Sequence, residues 1–350
     1  PPMTNSAAGP RWGSAGMPVE RAGDFGNVTK RLLARLRRER LRVAVVIVLA
    51  FASVTMLVLG PKVLGNATDV IVQGVFSPAG LDFGKLHRTL AVAAALYILS
   101  SLLAYMLSYI LAGLVQRTMF RLRAEVEDKL NRLPLRYVDG NERGDLLSRV
   151  TNDIDNIAQT LQQTLSQMLT SVLLLAGVAI MMFTISPLLA VVALTTVPVS
   201  VFGMRVIARL ARPRFMSQWR STGILNAQIE ETFTGHAVVK AFGRQSDVEQ
   251  RFRDTNDELY ESSFGAQFMS SLMQPLTMFM GNLQYAIVAV VGGLRVSSGA
   301  ITVGDIQAFI QYSRNFSMPL TQLASTMNIF QSGIASFERV VEFLDAGEQS

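Results

Sequence analysis

The chain contains no cysteine, and its only two histidines, His87 and His236, are far apart. The lack of cysteine excludes disulfide bonds, thiol chemistry and cysteine-based metal sites within these 350 residues. Two widely separated histidines make a histidine-based metal site unexpected as well. The sequence therefore predicts no metal site in this chain.

Charged residues are scarce, at 17% of the chain, whereas half of all residues are hydrophobic. The mean hydropathy is positive, +0.32, which is unusual for a soluble domain. Apolar runs of about 20 residues, the length that crosses a hydrocarbon core, recur along the chain. A soluble helix normally keeps a polar face, so these runs predict an all-α membrane protein. The six predicted spans are Val43–Gly60, Thr89–Val115, Leu165–Ile185, Leu188–Ala208, Phe268–Leu294 and Ile306–Phe330.

The Lys and Arg residues predict the orientation of these spans. They cluster before the first span, between the second and third, and between the fourth and fifth. On the predicted outer side, the only Lys and Arg residues are Lys62, Lys85, Arg88 and Arg295. We therefore expect a multi-pass protein of the cytoplasmic membrane with both termini in the cytoplasm. The net charge of +6 is explained by these anchors, so membrane lipids are expected as partners and no nucleic acid is needed.

The N-terminal region divides into two parts. Residues 1–27 are rich in Gly, Ala, Pro and Ser and are expected to form a disordered tail. Residues Val28–Arg42 predict a basic amphipathic helix on the inner leaflet, with Leu32, Leu33, Leu36 and Leu41 on its apolar side. The outer connections are predicted to be short, and only the first, about Ile71–Leu86, has any length.

A charged turn at residues 133–155 separates two long apolar stretches. It ends in an Asp-rich helix start at residues 151–153, where Arg149 and Asp153 lie four apart and are placed to pair on one helix. Its distinctive residues are Tyr137, Asp139, Gly140, Asn141, Glu142, Gly144 and Asp145. This order resembles the first intracellular loop of exporter-type ABC transporter transmembrane domains. From the residues alone, an ordinary helical hairpin turn is the alternative.

Four further segments resemble the same family in the same order. They are Pro61, Gly65 and Asp69 after the first span, Glu231–Phe242 after the fourth, Ile301–Phe309 with Pro319 at the sixth, and the closing run Ala335–Asp345. The resemblance covers about residues 28–345. The lead-in Glu20–Phe25 also resembles one subunit of heterodimeric members.

The resemblance implies a specific architecture and set of partners. It implies six long transmembrane helices with cytoplasmic extensions and short coupling helices, the ABC exporter fold. Residues Tyr137–Asp145 would form the first coupling helix, and Glu230, Glu231, Phe233, Gly235 and His236 the second, each seated on a nucleotide-binding domain. The resemblance also implies a second half-transporter, identical or different. It further implies that residues 346–350 begin the linker to a nucleotide-binding domain.

The sequence has no phosphate-binding loop of the form GxxxxGK[ST]. The family's LSGGQ-type signature is also absent from these residues. We therefore expect that this chain does not hydrolyse ATP by itself, and we assign no catalytic residue to it. ATP and Mg would be bound by nucleotide-binding domains, in the same polypeptide or in a separate subunit, so that the complete assembly acts as an ATP-driven translocase.

The transport path should carry polar side chains on the bundle-facing sides of the spans, because they are unfavourable against lipid. The fifth and sixth spans have such residues near helical spacing. They are Gln274, Met278, Asn282 and Tyr285 on the fifth, and Gln307, Gln311, Arg314, Asn315, Met318 and Gln322 on the sixth. Methionine and aromatic walls with polar groups suit amphipathic, lipid-like or drug-like cargo. The alternative is that these amides lock neighbouring helices together.

The predicted function is ATP-driven movement of such cargo by alternating access, with export as the family's usual direction and import left open. Two alternatives come from other classes of protein. An ion-coupled secondary transporter should show internal repeats or mid-membrane carboxylates, whereas the acids here lie at span ends and in loops. A non-transporting membrane scaffold would not need the coupling-loop pattern.

Overall fold

The computed structural model describes residues 25–36, 39–78, 80–134 and 149–347. All regular elements among these residues are helices. They are α1 (Phe25–Leu36), α2 (Arg40–Phe76), α3 (Phe83–Arg132), a π-helical turn (Arg149–Asp153), α4 (Ile154–Ile185), α5 (Pro187–Thr234), α6 (His236–Ala241), α7 (Gln245–Ser271), α8 (Met273–Ser297) and α9 (Val303–Asp345). The predicted all-α membrane architecture is confirmed.

Among the residues that the structure describes, five helical stretches are long and apolar enough to cross a membrane. They are α2, α3, α4 with its π-helical turn, α5, and α7 together with α8. The sixth predicted span, Ile306–Phe330, lies inside α9, a helix of 43 residues that is not among the five. Polar residues such as Gln307, Gln311 and Arg314 lower its hydropathy, so length and composition do not identify it as a span.

Three boundaries differ from the sequence prediction. The N-terminal helix begins at Phe25 and ends at Leu36, earlier at both ends than the predicted Val28–Arg42. Leu41 belongs instead to α2, where its side chain is 80% exposed. The connection predicted at about Ile71–Leu86 is also shorter, because α2 runs to Phe76 and α3 starts at Phe83.

Side-chain caps start the helices that follow three short connections. The Asp82 carboxylate accepts a hydrogen bond from the backbone N–H of Lys85 and starts α3. Ser186 is the only residue between α4 and α5, and Pro187 provides the preset φ of a first helical position. At α9, the Thr302 hydroxyl accepts from the Asp305 N–H while the Asp305 carboxylate accepts from the Thr302 N–H, a reciprocal capping box.

The described residues divide into two compact units, one up to Met181 and from Asn315 onward, the other Met182–Arg314. The core of the first unit is formed by α1, α2, α3, α4 and the C-terminal part of α9. Met119, Ile154 and Phe337 are at most 1% exposed in this core. These residues lie outside the predicted spans, so the helical extensions have an apolar core of their own.

The second unit is organised around α5, which packs against α7 and α8. Two glycines allow α5 to lie close to α7 and α8. A Cβ at Gly203 of α5 would lie 3.1 Å from the Leu276 side chain of α8, and one at Gly265 of α7 would lie 3.3 Å from Arg214 of α5. This packing determines which side of α8 remains exposed.

Candidate functional site

The predicted polar stripe of α8 lies on an exposed face. Gln274, Met278, Asn282 and Tyr285 are all exposed, with Met278 at 59% and Tyr285 at 45%. Within the described part of the chain, the Gln274 and Asn282 side chains make no hydrogen bond. These amides are therefore available to a ligand, to water or to another chain.

The packed side of α8 explains this exposure. Gln284, Val288 and Gly292, spaced four residues apart, are buried. The Gln284 side-chain amide donates a 3.4 Å hydrogen bond to the backbone carbonyl of Ala193 in α5. Sequence reasoning missed Gln284, which is the amide that joins α8 to its neighbour.

Arg314 of α9 lies beside Tyr285 of α8 within the second unit. The guanidinium carbon of Arg314 lies 5.6 Å from the centroid of the Tyr285 ring, within the range of a cation–π interaction. Both side chains are exposed, so the cation keeps an open side. A cation with an open side beside an aromatic ring can bind an anionic group.

The other predicted residues of α9 differ in how exposed their side chains are. In the second unit, Gln307 and Gln311 are half-buried. In the first unit, Asn315 and Met318 are exposed, Met318 at 76%, and Gln322 is half-buried.

The predicted second coupling segment falls at the end of a long helix. Glu230, Glu231 and Phe233 lie in the last turns of α5, Gly235 forms the turn, and His236 starts the six-residue α6. All of these except Gly235 are exposed. The backbone then turns at Gly243, whose φ of +65° favours glycine, before α7 begins.

An apolar surface surrounds this tip. Phe233, Val238 and Phe242 are 85%, 60% and 78% exposed. A cavity of about 290 Å³ lies beside them, with Glu231, Gly235 and Arg251 in its lining. Exposed aromatic side chains at the end of a helical lever are typical of a surface that contacts another protein.

The predicted first coupling segment, with Tyr137, Asp139, Gly140, Asn141, Glu142, Gly144 and Asp145, lies outside the described residues. The chain resumes in the π-helical turn Arg149–Asp153. The Arg149 side chain lies outside what the structure describes, so its predicted pairing with Asp153 stays a prediction. Asp153 has a basic partner in Arg339. The Arg339 guanidinium donates two hydrogen bonds to the Asp153 carboxylate, at 2.5 and 3.0 Å.

The Arg339–Asp153 pair is the first contact of a polar seam between α4 and α9, which sequence reasoning did not find. Asn156 donates to the Ser336 hydroxyl at 2.7 Å, and the Thr326 hydroxyl donates to the Gln167 side-chain oxygen at 3.1 Å. As residue numbers rise along α4 they fall along α9, so the two helices run antiparallel. Between these contacts, Gly333 lies against the side chain of Thr160 so closely that a Cβ would overlap it.

Comparison with known proteins identifies the family of this chain. A model of the ABC transporter transmembrane region matches residues 43–320. The chain is 46% identical over 368 residues to a fatty acid ABC transporter ATP-binding/permease protein of Mycobacterium tuberculosis, covering 95% of this chain and 58% of that protein. It is 33% identical to the uncharacterized ABC transporter ATP-binding protein YfiC of Bacillus subtilis, covering 94% of this chain and 54% of that protein.

A more distant relative is an ATP-dependent lipid A-core flippase of Syntrophus aciditrophicus. It is 24% identical, over 91% of this chain and 52% of that protein. The chain thus spans little more than half the length of these curated relatives. The family match covers most of the chain and agrees with the helical architecture, so this chain belongs to the family of ABC transporter transmembrane regions.

Proposed function

We propose that this chain is the membrane-spanning part of an ATP-driven transporter that moves amphipathic, lipid-like or drug-like molecules by alternating access, with export as the direction. Nucleotide-binding domains, in the same polypeptide or as separate subunits, would bind ATP and Mg and drive the change. A second half-transporter, identical or different, would complete the assembly. The chain would lie in the cytoplasmic membrane with both termini in the cytoplasm.

The names of the relatives support the class of cargo. One is named for fatty acids and another for lipid A-core, and both cargoes combine a long apolar part with a polar or anionic group. Two relatives carry an ATP-binding function in their names. This supports a fused nucleotide-binding domain as the partner of the transmembrane domain proposed at residues 28–345, with residues 346–350 leading toward it.

The observation that carries the proposal is the exposed pair of Arg314 and Tyr285 beside the Asn282 and Met278 side chains. A charged group within a membrane-spanning helix is unfavourable against lipid and usually faces a cavity or a partner. Methionine and tyrosine supply an adaptable apolar wall, and Arg314 supplies a counter-charge. This combination matches a cargo with an acyl chain and an anionic headgroup.

The α5–α6 tip supports a role in coupling. It joins the 48-residue helix α5, about 70 Å long, to an exposed apolar surface at Phe233 and Phe242. A stiff helix transmits a rigid-body displacement at its end to the membrane-spanning part. We propose that Glu230, Glu231, Phe233, Gly235 and His236 contact a nucleotide-binding domain, as would Tyr137–Asp145 in the first segment.

The test of cargo recognition is ATP hydrolysis by the full-length transporter reconstituted in proteoliposomes. Basal activity is compared with activity stimulated by a long-chain carboxylate and by the alcohol of the same length. For Arg314→Gln we expect basal activity to stay unchanged. The carboxylate concentration for half-maximal stimulation should rise about tenfold, the size of one charge-assisted contact, and the response to the alcohol should change little.

The matched control is Arg88→Gln, which removes an exposed cation outside the proposed path. It should leave both responses unchanged. Equal losses of basal and stimulated activity in Arg314→Gln would assign Arg314 to helix packing, and absence of ATP-dependent transport by the full-length protein would contradict the proposed function itself.

Coupling is tested separately with Glu231→Ala. We expect ATP hydrolysis to continue while transport per ATP falls, because the exposed Glu231 side chain contributes little to the packing of this chain. Wild-type transport per ATP would remove the mechanical role assigned to this position.

A further inference from the structure

A cavity of about 800 Å³ opens within the first unit, between α1, the start of α2, α3 and α4. Its volume falls in the range of about 300–1,000 Å³ that is typical of small-molecule sites. None of the residues assigned to transport or coupling lines it. The cavity is therefore a separate candidate site.

The wall of this cavity is aliphatic. Leu111 and Leu114 of α3, both buried, and Leu165 and Leu169 of α4 line it. Val43, Ala44, Val46 and Ile47 at the start of α2 also line the cavity, and Ile47 is 50% exposed. Such a lining favours a hydrocarbon chain.

The rim of the cavity carries two cations, Lys30 of α1 and Arg40 at the first position of α2. Neither makes an ion pair or a hydrogen bond with any residue that the structure describes. Three neighbouring cations are paired instead. Arg31 pairs with Asp345, Arg35 with Glu125, and Arg42 with Glu39.

This difference gives α1 two distinct sides. The side of Arg31 and Arg35 is tied to protein carboxylates, and Arg35 also lies over the Phe337 ring. The side of Lys30 and Ala34, one helical turn apart, faces the cavity. The positive charges of Lys30 and Arg40 therefore lie at the mouth of the cavity, and no described residue neutralises them.

A second cavity in the same unit provides the contrast. It is smaller, about 240 Å³, and its described lining residues, which include Phe51, Val58 and Leu173, carry no charge. That cavity offers no site for a headgroup. Only the larger of these two cavities, called the α1 cavity because Lys30 and Ala34 of α1 line it, combines an apolar wall with two cations at its rim.

We propose that the α1 cavity binds one anionic phospholipid of the surrounding bilayer, with an acyl chain against the leucine wall and the phosphate between Lys30 and Arg40. Basic pockets at the cytoplasmic ends of membrane helices suit anionic headgroups. The bound lipid holds α1 against α2, α3 and α4. The proposal uses the proposed orientation, with the start of α2 at the cytoplasmic face, but it does not depend on transport.

The test is native mass spectrometry of the delipidated full-length protein titrated with phosphatidylglycerol or with phosphatidylcholine of the same acyl chains. We expect tighter binding of phosphatidylglycerol. The double variant Lys30→Gln/Arg40→Gln should weaken its binding roughly 30-fold, on the basis of about 1 kcal/mol for each cation, and should leave phosphatidylcholine binding nearly unchanged.

The matched control is Lys85→Gln/Arg88→Gln, which removes the same charge at the other end of α3, about 40 Å along the helix from Leu111 and Leu114. It should keep the preference for phosphatidylglycerol. Equal affinity of the wild-type protein for both lipids, or the same loss in the control variant, would overturn the proposal.

Two further measurements apply even if the charge variant folds poorly. Phosphatidylglycerol with a diazirine in its acyl chain should label peptides containing residues 43–47 or 165–169 of the wild-type protein, and labelling confined to other helices would contradict the site. Ala44→Phe, which places a ring in the cavity, should weaken binding of both lipids. Displacement of phosphatidylglycerol by an equimolar long-chain carboxylate would identify a free fatty acid, instead of a bilayer lipid, as the occupant.

Discussion

The α4–α9 seam and the α8 stripe both consist of polar side chains on helices of a membrane protein, but they differ in how those side chains are satisfied. In the seam, Asp153, Asn156 and Gln167 each bond a side chain of α9. In the stripe, Gln274 and Asn282 are exposed and make no hydrogen bond within the described residues. Polar residues of similar type thus act as packing contacts in one region and remain open in the other.

This difference separates two interpretations that the sequence alone left open. Buried polar groups must be paired because leaving them unpaired is unfavourable, so the seam contributes to the fold. Exposed polar groups on a span are unfavourable against lipid, so the stripe requires water, cargo or a partner chain. The seam is expected to affect stability when it is changed, and the stripe to affect transport.

The largest effect on stability is expected for Asp153→Asn. Asp153 is buried, with its side chain 8% exposed, and the change removes the negative partner of Arg339. We expect the free energy of unfolding to fall by about 3 kcal/mol, the lower end of the range for breaking a buried ion pair, because Arg339 keeps 34% of its side chain exposed. Denaturant titration of the purified protein in detergent measures this change.

The control for this change is Asp155→Asn, two residues further along. Asp155 pairs with Arg123, but both side chains are more than half exposed, at 67% and 51%. An exposed pair contributes roughly 0–1 kcal/mol. Equal destabilisation by the two variants would show that the seam pair has no special role.

A smaller loss is expected for Gly333→Ala. A Cβ at Gly333 would lie 2.5 Å from both the Cβ and the Oγ1 of Thr160, so the helices must separate. Overpacking of this kind costs about 1–3 kcal/mol. The same denaturant titration applies.

Gly293→Ala in α8 is the matched glycine substitution, since a Cβ added there would meet no atom within 4 Å. At this position the greater helix propensity of alanine should stabilise the protein by roughly 0.5–1 kcal/mol. If both variants lost the same free energy, the close approach at Gly333 would not explain the loss.

The smallest change in stability is expected in the stripe. Asn282→Ala should alter the free energy of unfolding by no more than about 0.5 kcal/mol, as for other exposed positions, while transport by the reconstituted protein decreases. Thr326→Val in the seam should show the reverse, a loss of about 1 kcal/mol with little change in transport per folded molecule. A large destabilisation by Asn282→Ala would indicate that the stripe also locks helices.

Local patterns were sufficient to predict the family, the helical architecture and the exposed side of α8. The positions Gln274, Met278, Asn282 and Tyr285 follow from helical spacing alone, and the structure places all four on the exposed side. Spacing did not identify Gln284 as the buried amide, because the side of α8 that packs on α5 depends on tertiary contacts.

Local sequence patterns could not predict the α4–α9 seam for a related reason. Asp153 and Arg339 are 186 residues apart, and no local pattern links two positions so distant in sequence. The close approach at Gly333 depends on Thr160 in another helix. The hydropathy of α9 was likewise ambiguous, because the polar residues that suggest a path also reduce the signal for a membrane span.

The most direct test of the contrast uses the absence of cysteine from these 350 residues. Single variants Asn282→Cys in the stripe, Thr160→Cys in the seam and Ile98→Cys on the exposed apolar side of α3 are treated in membranes with a charged methanethiosulfonate reagent, which reacts only with thiols that water reaches. Any cysteine elsewhere in the full-length protein is replaced first. We predict rapid labelling of Asn282→Cys, slowed when cargo is present, and negligible labelling of the other two. An Asn282→Cys variant as unreactive as Ile98→Cys would place the stripe against lipid and contradict its role in transport.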